Sequence, residues 1–230
     1  MNHTVTAIRN MYHFEPLSEL ALQRYAITPE GIVEFNDGEI GEEDVEFVLE
    51  LMELYSGLDA FRAERFNVYS IYTILEYLES THAFYETALL PKLEQSIHGI
   101  KKLFPDHPIN KVLEGFFNQY KSNLLSHIDA EESRLFPYAR RLAHGGMARD
   151  YSVEEFESTH THEEVEDSLD RVINLIETNY SEVSRSFAYR SFKNMLEQFR
   201  LDIEIHHLIE EEVFLNMLRL LESENRLPFQ

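Results

Sequence analysis

The chain has 230 residues, 43% of them hydrophobic, with 20 Lys and Arg against 42 Asp and Glu and a formal net charge of −22. That apolar content is enough for a real core and argues against disorder, while the acidic balance disfavours nucleic-acid phosphates and anionic membrane surfaces as partners. No cysteine occurs, which excludes disulfides, thiolate metal ligands, cysteine nucleophiles and iron–sulfur ligation.

The N-terminal stretch "MNHTVTAIRNMYHFEPL" lacks the long apolar run of a signal peptide. No stretch approaches the ~18 consecutive apolar residues of a membrane span, so a cytoplasmic protein is the expectation. Residues 1–60 read as a small helical N-terminal subdomain. "PLSELALQRYAI" and "EEDVEFVLELMELY" are short amphipathic helices. "TPEGIVEFNDGEIG" between them is a turn-rich connector, with Thr28 as an N-cap and Pro29 at the first helical position.

Residues 67–225 carry apolar residues at spacings of three and four, the helical signal. The first long helix runs from about Asn67 to Lys102, with a stripe through Ile71, Leu75, Leu78, His82, Glu86, Leu89 and Leu93. A second runs from about Asn110 to Ala143 through Leu113, Phe117, Tyr120, Leu124, His127, Glu131 and Leu135. The third opens on Ser152 and Glu155, a Ser-x-x-Glu capping box, and continues through His162, Val165, Leu169, Val172 and Ile176. The fourth spans about Ser184 to Glu222 through Phe192, Met195, Phe199, Ile203, His206, Glu210, Val213 and Met217. "FPDHP", "HGGMARD" and "TNYSE" separate the four. Pro91 and Pro137 fall inside helical patterns, where each is expected to kink or end its helix. Four amphipathic helices with short links predict an all-α, antiparallel four-helix bundle.

The two halves echo each other. An offset of 79 pairs His127 with His206, Glu131 with Glu210 and Arg140 with Arg219. An offset of 80 pairs His82 with His162 and Glu86 with Glu166. Each half thus has one helix bearing a histidine and a second bearing His-x-x-x-Glu. Residues at i and i+4 share one face of a helix, so His127 with Glu131, and His206 with Glu210, can aim at one spot. His82 and His162 approach from the other two helices.

A single histidine on an apolar stripe is more often a hydrogen-bonded core residue than a ligand, and a single glutamate there can pair with an arginine. Six polar groups on four core faces are harder to absorb, because interiors do not bury unsatisfied groups in such numbers. Two metal ions would offset the burial of the carboxylates. Imidazole and carboxylate without sulfur suit iron, manganese or zinc. Iron ranks ahead of manganese and zinc because six protein ligands over two ions leave open positions suited to dioxygen or nitric oxide. Glu86 is either a further ligand or an acceptor for a ligand's ring N–H. His160 and His207 lie off the stripes, and His98, His107 and His144 sit at helix ends or in links.

At these residues the sequence resembles the hemerythrin-like (HHE cation-binding) domains, and within them the iron–sulfur cluster repair di-iron proteins. "THAFYETALLPKL", "HIDAEESRLFPYARRL", "THTHEEVEDSLDRV" and "HHLIEEEVFLNMLRLL" carry the likeness. The resemblance implies His82, His127, His162 and His206 as imidazole ligands, with Glu131 and Glu210 as bridging carboxylates of an oxo- or hydroxo-bridged iron pair. It departs from the family where Ala83 follows His82 in place of a second histidine. The N-terminal segment is similar to the repair family's N-terminal domain but lacks its cysteine pair. The expected function is binding or reduction of nitric oxide or dioxygen in the stress or cluster-repair class, with electrons from a partner protein. A non-catalytic sensor or store, and a metal-free interaction protein, are the alternatives, and a homodimer is allowed.

Overall fold

A computed structural model of the chain describes residues 19–24, 27–28, 31–32, 42–147, 151–159 and 163–225. Their regular elements are helical apart from a small antiparallel ladder of β1 (Ile27–Thr28) and β2 (Gly31–Ile32), which sets Ile27 opposite Ile32 and Thr28 opposite Gly31. Thr28 is therefore an extended residue and not the head of a helix, which corrects the expected N-cap.

The helices are α1 (Glu19–Arg24), α2 (Glu42–Leu54), α3 (Ala63–Phe66), α4 (Ile71–Phe84), α5 (Leu90–Leu103) and α6 (Ile109–Ala130). They continue as α7 (Phe136–Ala143), α8 (Val153–Thr159), α9 (Glu163–Asn179), α10 (Ser181–Ser184), α11 (Phe187–Ile209) and α12 (Leu215–Glu224). Three π-helical turns join α4 to α5 (Tyr85–Leu89), α6 to α7 (Glu131–Leu135) and α11 to α12 (Glu210–Phe214).

Two of these turns answer the prolines. Inside an α-helix, proline lacks the N–H donor and its ring meets the carbonyl four residues back. Pro91 and Pro137 each sit second in the α-segment that follows a π-turn. Widening the preceding turn relieves both problems, so the helix runs on where a break was expected. The third π-turn has no proline. Asn216 takes the corresponding place, and its Nδ2 donates to the Glu212 carbonyl at 2.8 Å.

Helix ends follow local chemistry. Ser152 Oγ accepts from the Glu155 N–H at 3.2 Å, the forward half of the expected capping box. α7 ends in a Schellman motif: Gly146 N–H donates to the Arg141 carbonyl and Gly145 N–H to that of Leu142, both at 2.9 Å. Gly145 has φ 77°, the left-handed conformation that glycine adopts without strain.

The chain divides into two compact units, one of Met1–Phe84, Ala139–Asp150 and Ile205–Gln230, the other of Tyr85–Tyr138 and Tyr151–Glu204. In the first unit, Phe47 from α2 meets Phe66, Tyr69 and Tyr77 edge-on at 5.9, 5.1 and 5.6 Å. Such pairs contribute about 0.5–1.5 kcal/mol each beyond their burial, and they tie the N-terminal helices to α4. In the second unit, Phe199 packs edge-on against Tyr85 at 5.3 Å and Tyr120 at 5.6 Å. No described helix is long and apolar enough to cross a membrane.

Candidate metal centre

Three elements bring carboxylates and imidazoles inward for local reasons. α4 buries Ile74, Leu75, Tyr77, Leu78 and Thr81 along one side, and His82 follows on that side with 1% of its surface exposed. The stripe of α6 runs through Leu113, Phe117, Tyr120 and Leu124, which carries His127 inward until its side chain is 10% exposed. α11 buries Phe192, Phe199 and Ile203 and delivers His206, 2% exposed.

Both glutamates open π-turns. Glu131 is the first residue of the second turn and Glu210 of the third, and each is fully buried. The two turns are separated by the same 79 residues that relate the histidines, so the echo in sequence is also an echo in backbone. π-turns concentrate at functional sites because they re-aim side chains without ending the helix.

The side chains form two groups. Ligating atoms of His82, Glu131 and His206 all lie within 4.8 Å of one another, and so do those of His127, Glu131 and Glu210. Glu131 belongs to both. His127 Nε2 lies 2.5 Å from Glu131 Oε1, and the rings of His82 and His206 are centred 5.1 Å apart. The Tyr77 ring lies 6.3 Å from that of His206.

This donor set fits a metal pair on chemical grounds. Imidazole nitrogen and carboxylate oxygen are the ligands that first-row divalent ions take in the absence of sulfur. Two fully buried carboxylates in one small volume are costly as bare charges, and a cation offsets that cost. The buried His and Glu groups can therefore hold metal ions.

Five of the expected ligands, His82, His127, Glu131, His206 and Glu210, come together in these groups. His162 and His160 lie outside the described residues. Glu86 falls within the first π-turn and is exposed, while its neighbour Tyr85 is buried. Glu86 joins neither group. His98 is exposed, His107 pairs with Glu182 at 3.0 Å, and His144 lies at the surface beside Tyr72, as their places at helix ends suggested.

Asp202, which the stripes do not pick out, and His207, which lies off them, are nevertheless buried. Asp202 is fully buried one helical turn before His206, and His207 is 6% exposed. Asp202, His206 and Glu210 repeat every four residues, a spacing that was available in the sequence. His207 lay beside the stripe, but α11 buries Ile205, His206 and His207 consecutively and so is enclosed on more than one side.

Comparison with protein-family models, curated proteins and solved structures finds no match to this chain.

Proposed function

We propose that the chain is a hemerythrin-like four-helix protein with a non-haem di-iron centre. Its chemistry would be the binding or reduction of dioxygen or nitric oxide, as in the cluster-repair and stress class it resembles in sequence. The observation that carries this reading is the pair of ligand groups sharing Glu131. His82 and His206 would serve one ion, His127 and Glu210 the other, and Glu131 would bridge. Iron supplies a reversible electron and open coordination positions for a diatomic ligand.

The protein's own part is enclosure and orientation. Helical spacing holds each His–Glu pair on one face. The π-turns fix where each carboxylate points. Tyr77, fully buried, keeps water from one flank. With no cysteine in the chain, thiol-dependent cluster repair is disfavoured against binding or reduction at the metal.

Anaerobic loading with ferrous iron, followed by elemental analysis and optical spectra before and after air, tests the proposal. Stoichiometric iron with an absorption band that persists in air supports carriage. Rapid ferrous oxidation or consumption of nitric oxide supports turnover. His206→Ala should bind substantially less iron while its helical circular dichroism stays near wild type. Iron content unchanged by that substitution would remove His206 from the ligand set.

A further inference from the structure

The first π-turn matches the second place for place. Tyr85, Leu89, Leu90 and Pro91 stand where Glu131, Leu135, Phe136 and Pro137 stand. Both turns bury their first and last residues and expose the two that follow the first. The third turn opens in the same way on buried Glu210, with Asn216 in the place of the proline. Each of these turns therefore begins with a buried polar side chain, and in two of them that side chain belongs to a ligand group. Tyr85 holds the glutamate's place in the first. It is 1% exposed, and it follows His82 by three residues, the spacing at which two side chains share a helix face. Its ring packs edge-on against Phe199 at 5.3 Å.

The exchange of glutamate for tyrosine changes what this place can do. An ionised carboxylate only accepts hydrogen bonds, whereas a phenol keeps its proton at neutral pH and can donate it. The two ligand groups consist of imidazoles and carboxylates alone. An imidazole that binds a metal through one nitrogen carries its remaining N–H on the far side of the ring, facing away from the ion. Neither kind of ligand then offers a donor to a small molecule bound beside the metal. Such a molecule gains negative character when it draws electron density from an ion, and a donor aimed at it is what stabilises that charge.

We propose that Tyr85 is the hydrogen-bond donor of the metal pocket, its hydroxyl serving the small anion or diatomic molecule that binds beside the ions. The inference rests on the metal reading above and adds to it how the bound molecule is recognised. The first π-turn aims the phenol as the second and third aim their carboxylates, and Phe199 holds the ring in place. A donor at this position favours molecules whose bound form carries negative charge, and it slows their release. Tyr85 holds no ion in this account, so metal uptake does not depend on its hydroxyl.

The test uses the full chain loaded with iron, azide as the probe, and three proteins: wild type, Tyr85→Phe and Tyr120→Phe. Tyr120 is also buried and also packs on Phe199, at 5.6 Å, but it opens no π-turn, so its variant controls for the loss of a buried hydroxyl. Iron content is measured first, then azide affinity by optical titration and the infrared stretch of bound azide in H2O and D2O. In wild type the stretch should shift on deuteration. Tyr85→Phe should carry as much iron, bind azide several-fold more weakly and lose the deuterium shift, while Tyr120→Phe should match wild type. Equal affinity and an equal shift in wild type and Tyr85→Phe would overturn the inference while leaving the metal centre standing. Equal losses in both variants would also overturn it, because the place in the π-turn would then not matter. Loss of iron from Tyr85→Phe would overturn it too, by making Tyr85 a ligand, as would an iron-loaded wild type that binds no azide. A wild-type protein that takes up no iron would overturn the metal reading itself, and this inference with it.

Discussion

Glu131 is the one side chain common to both ligand groups, whereas His82 and His206 belong to the first and His127 and Glu210 to the second. Their substitutions should therefore differ in kind. On the metal reading proposed above, Glu131→Gln would remove a charged ligand from both groups and should strip both ions, whereas Glu210→Gln should leave the first group's ion in place. Metal-to-protein ratios after gel filtration separate these outcomes, and equal ratios for the two variants would contradict a bridging role for Glu131. At this scale the sequence was largely legible. His127 with Glu131, and His206 with Glu210, stand one helical turn apart amid apolar neighbours, and burial of such pairs is what helical geometry requires. The stripe through Ile203 passes beside Asp202, although both residues are buried.

Among the elements, the π-turns decide what periodicity alone could not. A stripe counted at the ordinary helical repeat runs from Glu210 to Val213 and then Met217, but the residues buried beyond the turn are Leu215, Leu218 and Glu222. One added residue in the turn explains the slip. A single sequence carries no marker for it where proline is absent. Pro91 and Pro137 are visible in the sequence, but the rule that an interior proline kinks or ends its helix does not foresee a widened turn that seats it. Asn216 occupies the place of Pro137 in the second copy, so Asn216→Pro should be tolerated, at a cost under about 1 kcal/mol. Ile203→Pro, within the uninterrupted part of α11, should cost about 3 kcal/mol or more. Urea unfolding followed by circular dichroism measures both. A severe loss at position 216 would mean that the third turn is not equivalent to the second. Within the loops, Gly145 and Gly146 in "HGG" marked the end of α7 correctly, since a left-handed residue closes a helix most readily as glycine.

For the molecule as a whole, charge outweighs any individual ion pair. Arg65 joins Glu50 at 2.5 Å and Glu53 at 2.6 Å, and these partners raise the pKa of its guanidinium. Lys193 meets Glu177 at 2.6 Å. Exposed pairs of this sort contribute only about 0–1 kcal/mol each. With 42 acidic side chains against 20 Lys and Arg, at least 22 carboxylates have no cationic counterpart, so net repulsion dominates. Screening should therefore relieve more repulsion than it removes attraction. Raising sodium chloride from roughly 10 to 150 mM shortens the screening length from about 30 to 8 Å, and the metal-free protein should melt several degrees higher. A melting temperature that falls with salt would show that the ion pairs dominate. Composition made this much plain in advance. The helical class was equally legible, because strong three-and-four spacing over long segments admits little else. The grouping of α2 and α3 with α4 was not, since it depends on Phe47 finding Phe66, Tyr69 and Tyr77 across the fold.

A π-turn absorbs a surplus residue without reversing the face presented by the helix beyond it. Excising either Glu211 or Glu212 would accordingly restore ordinary winding and leave Leu215 and Leu218 facing inward, while swinging the Glu210 carboxylate off its mark. On the metal reading proposed above, scaffold and ion binding would thus be separable by a single codon, and a lineage carrying such a chain could lose or regain the site in one step without rebuilding the architecture around it.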